Sequence, residues 1–150
     1  GMGNIGVTYN DPEIDNEIER VATHPGGKNR HTKNFTPSGK VRDVKIISTH
    51  TSGDGLVIVE QQQPYRDSVP AENITVAVVN ESVETHCGFY PAELTAGWES
   101  LRAWVATDIQ PSVAAIQGTC QFLEANFGGG PCRYDPSFVI PNMDGRVPPR

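Results

Sequence analysis

Two short apolar runs dominate the pattern along the chain: VKIIST at 44–49 and ITVAVVN at 74–80. Both are β-branched, and neither alternates apolar with polar. Such runs predict strands covered on both faces, the signature of a parallel sheet. Between them, residues 58–69 have a helical texture that Pro64 divides into short pieces. PAELTAGWESLRAWV (91–105) is the strongest helical segment. Leu94, Trp98, Leu101 and Val105 share one face, Pro91 opens it, and Gly97 permits close approach to a neighbour. A shorter helix is predicted over 10–21, capped by Asn10 or Asp11, with Pro12 in its first turn and Ile14, Ile18 and Val21 on one side. HPGGKNRHTKNFTPSGK (24–40) is too rich in glycine, proline and polar residues for regular structure and predicts an exposed connection or flap. AAIQGTCQFLEANF (114–127) is predicted helical in part, and the proline-rich tail from Pro131 extended and irregular.

Strand, helical crossover and strand make a βαβ unit, so the expected fold class is α/β, a short and mainly parallel sheet with flanking helices. One domain accommodates all 150 residues. The net charge of −6 and the absence of any Lys/Arg run argue against nucleic acid as a partner. No apolar stretch reaches the roughly 18 residues of a membrane span. Cys120 and Cys132 bracket a Gly-Gly-Gly-Pro turn and are expected to form a disulfide, leaving Cys87 free. That pattern points to an oxidising, secreted or periplasmic setting. Cysteine and histidine spacing offers no zinc site, and no metal or cofactor is expected. Asn34, Asn73 and Asn80 head glycosylation sequons that are read as coincidental.

The candidate chemistry lies in THTSGDGLVIVEQQQPYRDSV (49–69) and THCGFYPAELTAGWESLRAWV (85–105). Asp54 stands in a glycine-flanked turn after the first strand, and His86 in the loop after the second. A Gly-Asp-Gly turn or a histidine before a helix is commonly structural when met alone. Their order, their separation by one crossover and one strand, and the helix that follows set the pair apart. Parallel sheets gather ligands at the carboxyl ends of their strands, so both side chains should reach the same rim. His24, His31 and His50 have no evident partner. Trp98 and Trp104 are expected to pack, and Cys87, next to the histidine in sequence, is poorly placed to act as its nucleophile.

Across residues 41–110 these segments resemble the last two strand-to-loop units of the α/β-hydrolase fold, closest to secreted bacterial-type esterases and peptidases. The resemblance implies that Asp54 is the triad acid and His86 the general base, because the family orders its triad serine, acid, histidine. It implies that 10–40 is the end of a lid, 41–110 the acid- and histidine-bearing core, and 111–150 a disulfide-tied tail, all within one partial domain. The G-x-S-x-G nucleophile motif is absent from the 150 residues, as is the family's oxyanion segment. Ser52 lacks the strand-to-helix elbow that would let it substitute. The expected identity is therefore the C-terminal portion of a serine hydrolase, inactive alone, cleaving esters or amides when a missing N-terminal segment or a separate chain supplies the nucleophile. The alternative is a stand-alone, non-catalytic binding domain built from the same half-fold. An exposed sheet edge and an uncovered helix face would drive self-association, so a homo-oligomer is expected.

Overall fold

The computed structural model describes residues 11–22, 24–27, 29–30, 38–81 and 86–143. Two units make up the chain: Gly39–Pro141, and Gly1–Ser38 together with Asn142–Arg150. In the second of these, helix α1 spans Pro12–Glu17. Asp11 caps it by accepting from the amides of Glu13 and Ile14. It is shorter than the 10–21 expected, because the backbone turns extended at Ile18. Ile14 and Val21 are exposed. Residues 25–27 and 29–30 are helical where an irregular connection was predicted. Pro25 suits a first helical turn, and His24 Nδ1 accepts from the amide of Gly26 to stop its open end.

The larger unit is built on two parallel strands, β1 (Ile46–Thr51) and β2 (Ile74–Val79), in register from Ile46 opposite Ile74 to Thr51 opposite Val79. β1 begins two residues later than the apolar run predicts. Lys45 is drawn aside to Asp108 and the carbonyl of Trp104, and Val44 is exposed. The crossover contains a 3-10 turn at Val59–Gln61, helix α2 (Gln62–Ser68) and a second 3-10 turn at Ala71–Asn73. Pro64 falls in the first turn of α2, where its missing N–H is not needed. The short pieces expected are present, but the proline starts a helix rather than breaking one. The chain is thus of mixed α/β character, with a two-stranded parallel sheet and flanking helices.

β2 is buried along most of its length, whereas Ile46 to Thr49 of β1 are only half-buried. The difference follows from their neighbours. On its far side β2 carries the segment 133–135: Asn80 donates to the Arg133 carbonyl at 2.9 Å and Asp135 to the Val78 carbonyl at 3.0 Å. Tyr134 forms an antiparallel bridge with Val79. The predicted irregular tail therefore completes the sheet edge. Among the described residues no strand pairs with the far side of β1.

Helix α3 spans Pro91–Thr107, and α4 spans Val113–Phe127 as a full helix rather than a partial one. Ser112 Oγ accepts from the Ala115 amide at the start of α4. Gly128, at φ +74°, ends it in a backbone conformation that few other residues adopt readily. The apolar face predicted to bury α3 is the exposed one: Leu94, Trp98 and Val105 are 55%, 60% and 65% exposed. Ala92, Glu93, Ala96, Ser100 and Trp104 turn inward instead. Small side chains let the helix approach the sheet closely. A Cβ added at Gly97 would lie 3.4 Å from the Tyr134 hydroxyl and 3.7 Å from Thr49 Oγ1.

The core joins Ala77 and Val79 of β2, Ala92 and Ala96 of α3, Ile116 and Cys120 of α4, and Tyr134. Complete burial of a side chain the size of Ile116 contributes about 1.5–3 kcal/mol. A disulfide joins Cys120 to Cys132 with Cα atoms 5.7 Å apart, and Cys87 is free and exposed, as the spacing predicts. The bond ties the 133–135 segment to α4. Among the described residues no helix is long and apolar enough to cross a membrane.

Candidate active site

The strands deliver Asp54 and His86 to one place. Past Thr51 the ladder runs one residue further, with the Ser52 amide donating to the Val79 carbonyl at 3.0 Å. The chain then turns through Gly53 and Gly55. Asp54 stabilises that turn: its Oδ1 accepts from the amides of Leu56 and Val57, each at 2.9 Å. This is the local bonding that makes aspartate a turn residue. Its other oxygen, Oδ2, lies 2.8 Å from His86 Nδ1. The Asp54 side chain is 7% exposed and the His86 ring 47% exposed.

The Asp54 carboxyl is held below its ordinary 3.8, chiefly by the Val57 amide, then by the His86 ring and the Leu56 amide, against an opposing push from partial burial. Asp54 is therefore an ionised acceptor near neutral pH. Nδ1 of a neutral His86 must then carry the proton, which leaves Nε2 with its lone pair free to act as a base. No described residue hydrogen-bonds that nitrogen.

The other described histidines have contacts of their own. His50, buried at the end of β1, places Nδ1 2.8 Å from the Thr51 carbonyl. His24 caps its own helical turn, and His31 lies outside the described residues. Cys87, directly after the histidine, has a left-handed backbone at φ +57°. Trp104 is buried as expected, but Trp98 is not. Of the sequons, Asn34 lies outside the described residues. The Asn73 amide is committed to the carbonyls of Arg42 and Val44.

Ser52 is committed too. Its hydroxyl accepts from the Glu81 amide at 2.9 Å and lies 3.3 Å from the Glu81 carbonyl. It joins the acid's turn to the start of the histidine's loop.

No family model, curated protein or solved structure matches this chain.

Beside the pair lies a charge cluster that sequence reasoning missed. Arg133 donates through its backbone N–H and Nε to Glu93 Oε1, and through one terminal nitrogen to Glu93 Oε2 and the Gly88 carbonyl. Its other terminal nitrogen binds Glu81. The guanidinium carbon stacks 4.2 Å from the centre of the Tyr90 ring. Glu93 is fully buried, and its Oε2 also accepts from the Tyr90 amide at 2.8 Å, closing the first turn of α3. These contacts, Glu93 foremost, push the Arg133 guanidinium above its usual range. Glu93, three residues into a helix that opens with proline, carried a capping signal. Arg133, in an irregular tail, carried none. Among the described residues no three of His, Cys, Asp and Glu converge where a metal ion could be held.

The depressed Asp54 carboxyl has a consequence for stability against pH. A group whose native value lies below its unfolded one stabilises the fold above the unfolded value, and that contribution disappears as pH falls through the native one. Wild-type protein should resist urea better than Asp54→Asn near neutrality. The difference should shrink from about pH 4 downward and vanish once both states protonate the carboxyl. Urea midpoints of the two proteins across this range check it, and a gap independent of pH would contradict the charge-based account.

Proposed function

We propose that this chain supplies the acid and the base of a serine hydrolase of the α/β-hydrolase type, acting on esters or amides through an acyl-enzyme. The observation that carries the reading is the 2.8 Å contact between His86 Nδ1 and Asp54 Oδ2, made by loops that follow neighbouring parallel strands. In this reaction His86 Nε2 takes the proton from a serine hydroxyl as the serine oxygen attacks the substrate carbonyl. It then returns that proton to the leaving alcohol or amine. Water, deprotonated by the same nitrogen, then attacks the acyl carbon; the acyl–serine bond breaks, the imidazolium returns the proton to the serine oxygen, and the acid leaves. Asp54 keeps the imidazole in the required tautomer and stabilises the imidazolium that forms. The serine and the oxyanion donors come from residues outside these 150, an N-terminal continuation or a separate chain. The Cys120–Cys132 bond fits work in an oxidising compartment, secreted or periplasmic.

The test is chemical. The 150-residue chain alone should neither hydrolyse p-nitrophenyl acetate nor react with a fluorophosphonate probe. Joined to an N-terminal segment that carries the nucleophile, or mixed with a separate chain that does, it should do both, with one serine labelled. Stoichiometric labelling of the 150-residue chain, or an assembled protein that never labels, would overturn the reading.

The exposed Leu94–Trp98–Val105 stripe favours a second reading, a non-catalytic binding domain, but a half-fold that awaits its other half exposes such a face as well. With the far edge of β1 it should drive the isolated chain to pair, since apolar burial contributes roughly 25 cal/mol per Å². Sedimentation equilibrium at micromolar concentration should report a dimer or larger. A strict 16.3 kDa monomer would mean a self-sufficient fold and favour the binding domain.

A further inference from the structure

The Asp54–His86 contact depends on the placement of the loop after β2, which the structure describes from His86 onward. Within the described part of that loop, the backbone hydrogen bond is Phe89 N–H to the carbonyl of Cys87, a residue in the left-handed region. The imidazole is half exposed and held through one nitrogen.

We propose that Arg133 is the positioning residue of the catalytic histidine, a single guanidinium that clamps the loop on both sides of His86. The proposal rests on reading Asp54 and His86 as the acid and base of a hydrolase. On the far side of the histidine, Arg133 donates to the Gly88 carbonyl at 2.6 Å and stacks on Tyr90. On the near side it pairs with Glu81, the last described residue before the loop. Arg133 is itself immobilised: Glu93 takes its backbone N–H, Nε and a terminal nitrogen, its carbonyl accepts from Asn80, and Cys132 beside it is bonded to α4.

Glu81 carries the restraint to the acid as well. Its backbone is bonded to the Ser52 hydroxyl, two residues before Asp54, while its carboxylate meets Arg133. The acid's turn and the histidine's loop thus share one reference point. Only a planar, forked cation reaches Glu81, Glu93 and the Gly88 carbonyl together. A lysine ammonium would keep the charge beside Glu93 but lose the fork.

The tautomer of His86 reports positioning independently of stability. In the 150-residue chain with ¹⁵N-labelled histidine, at a pH where the ring is neutral, the ring shifts should show His86 wholly in the Nδ1–H form. Asp54→Ala should release it. Arg133→Lys should give a mixture of tautomers, with the Nδ1–H form falling to about half or less, and Glu81→Gln should shift it the same way by a smaller amount. Arg102→Lys, in an exposed pair with Glu99 on α3, should change nothing. A folded Arg133→Lys protein that keeps the single tautomer would overturn the proposal. If that variant does not fold, retention of the single tautomer in Glu81→Gln overturns it instead. A mixture in the unsubstituted chain would defeat the Asp54–His86 pair itself, and with it the hydrolase reading. By contrast, failure to find a nucleophile-bearing partner would sink that reading while leaving the tautomer result intact.

Discussion

In the hydrolase proposed above, His86→Ala should lower kcat about 10⁶-fold and Asp54→Ala about 10⁴-fold, with KM little changed in either. The inequality follows from the geometry. On that proposal His86 is the group that moves the proton, so without it the serine must attack as a neutral hydroxyl. Asp54 touches only the far nitrogen, Nδ1, at 2.8 Å, so its loss leaves a base that can still work when it happens to adopt the right tautomer and orientation. The double variant should lose no more than His86→Ala alone, because an acid that acts through the imidazole has nothing to act on once the imidazole is gone. Steady-state rates on an activated ester, with active sites counted by fluorophosphonate labelling, read all three proteins. Additive losses in the double variant, or equal losses from the two single changes, would show that Asp54 has a role apart from His86.

Arg133→Ala should destabilise the 150-residue chain by about 3–5 kcal/mol, more than any exposed substitution. Glu93 is wholly buried, and its two oxygens accept the Arg133 backbone N–H, two side-chain N–H contacts from Arg133 and the Tyr90 amide. Removing the side chain leaves a carboxylate in the interior with its backbone donors but no cation, and it deprives Glu81 of the same partner. Burial of an ion pair is not in itself strongly stabilising. The large effect comes from stranding one partner. Arg102→Ala is the contrast: its pair with Glu99 is largely exposed, and its loss should cost less than about 1 kcal/mol. Glu93→Gln combined with Arg133→Ala should recover part of the deficit, since the stranded charge is then gone. Urea midpoints of the four proteins decide it. An Arg133→Ala protein as stable as Arg102→Ala would mean that the cluster is solvated in solution.

Much of the α/β arrangement was legible from local pattern. The β-branched runs located both strands to within two residues. Proline at position 91 marked where a helix starts, and the Gly-Gly-Gly-Pro turn between Cys120 and Cys132 announced the disulfide. The candidate pair was legible for the same reason: Asp54 lies in a turn whose residues dictate it, and parallel strands carry their following loops to one rim. Tertiary structure decided what periodicity cannot rank. On α3 the large apolar residues formed the obvious face, yet the sheet took the face bearing Ala92, Ala96, Gly97 and Ser100, because close approach depends on small side chains and Tyr134 fills the space they leave. It also turned a tail with no pattern into a strand-like edge on β2 and placed Arg133 against Glu93, Glu81 and Gly88. Partners from three separate segments converge there, and no window along the chain contains them together. The sequence by itself determined where Asp54 and His86 would meet, since short-range turn and strand chemistry governs that. Only the folded chain decided what holds them in place, since that depends on packing between residues far apart in sequence.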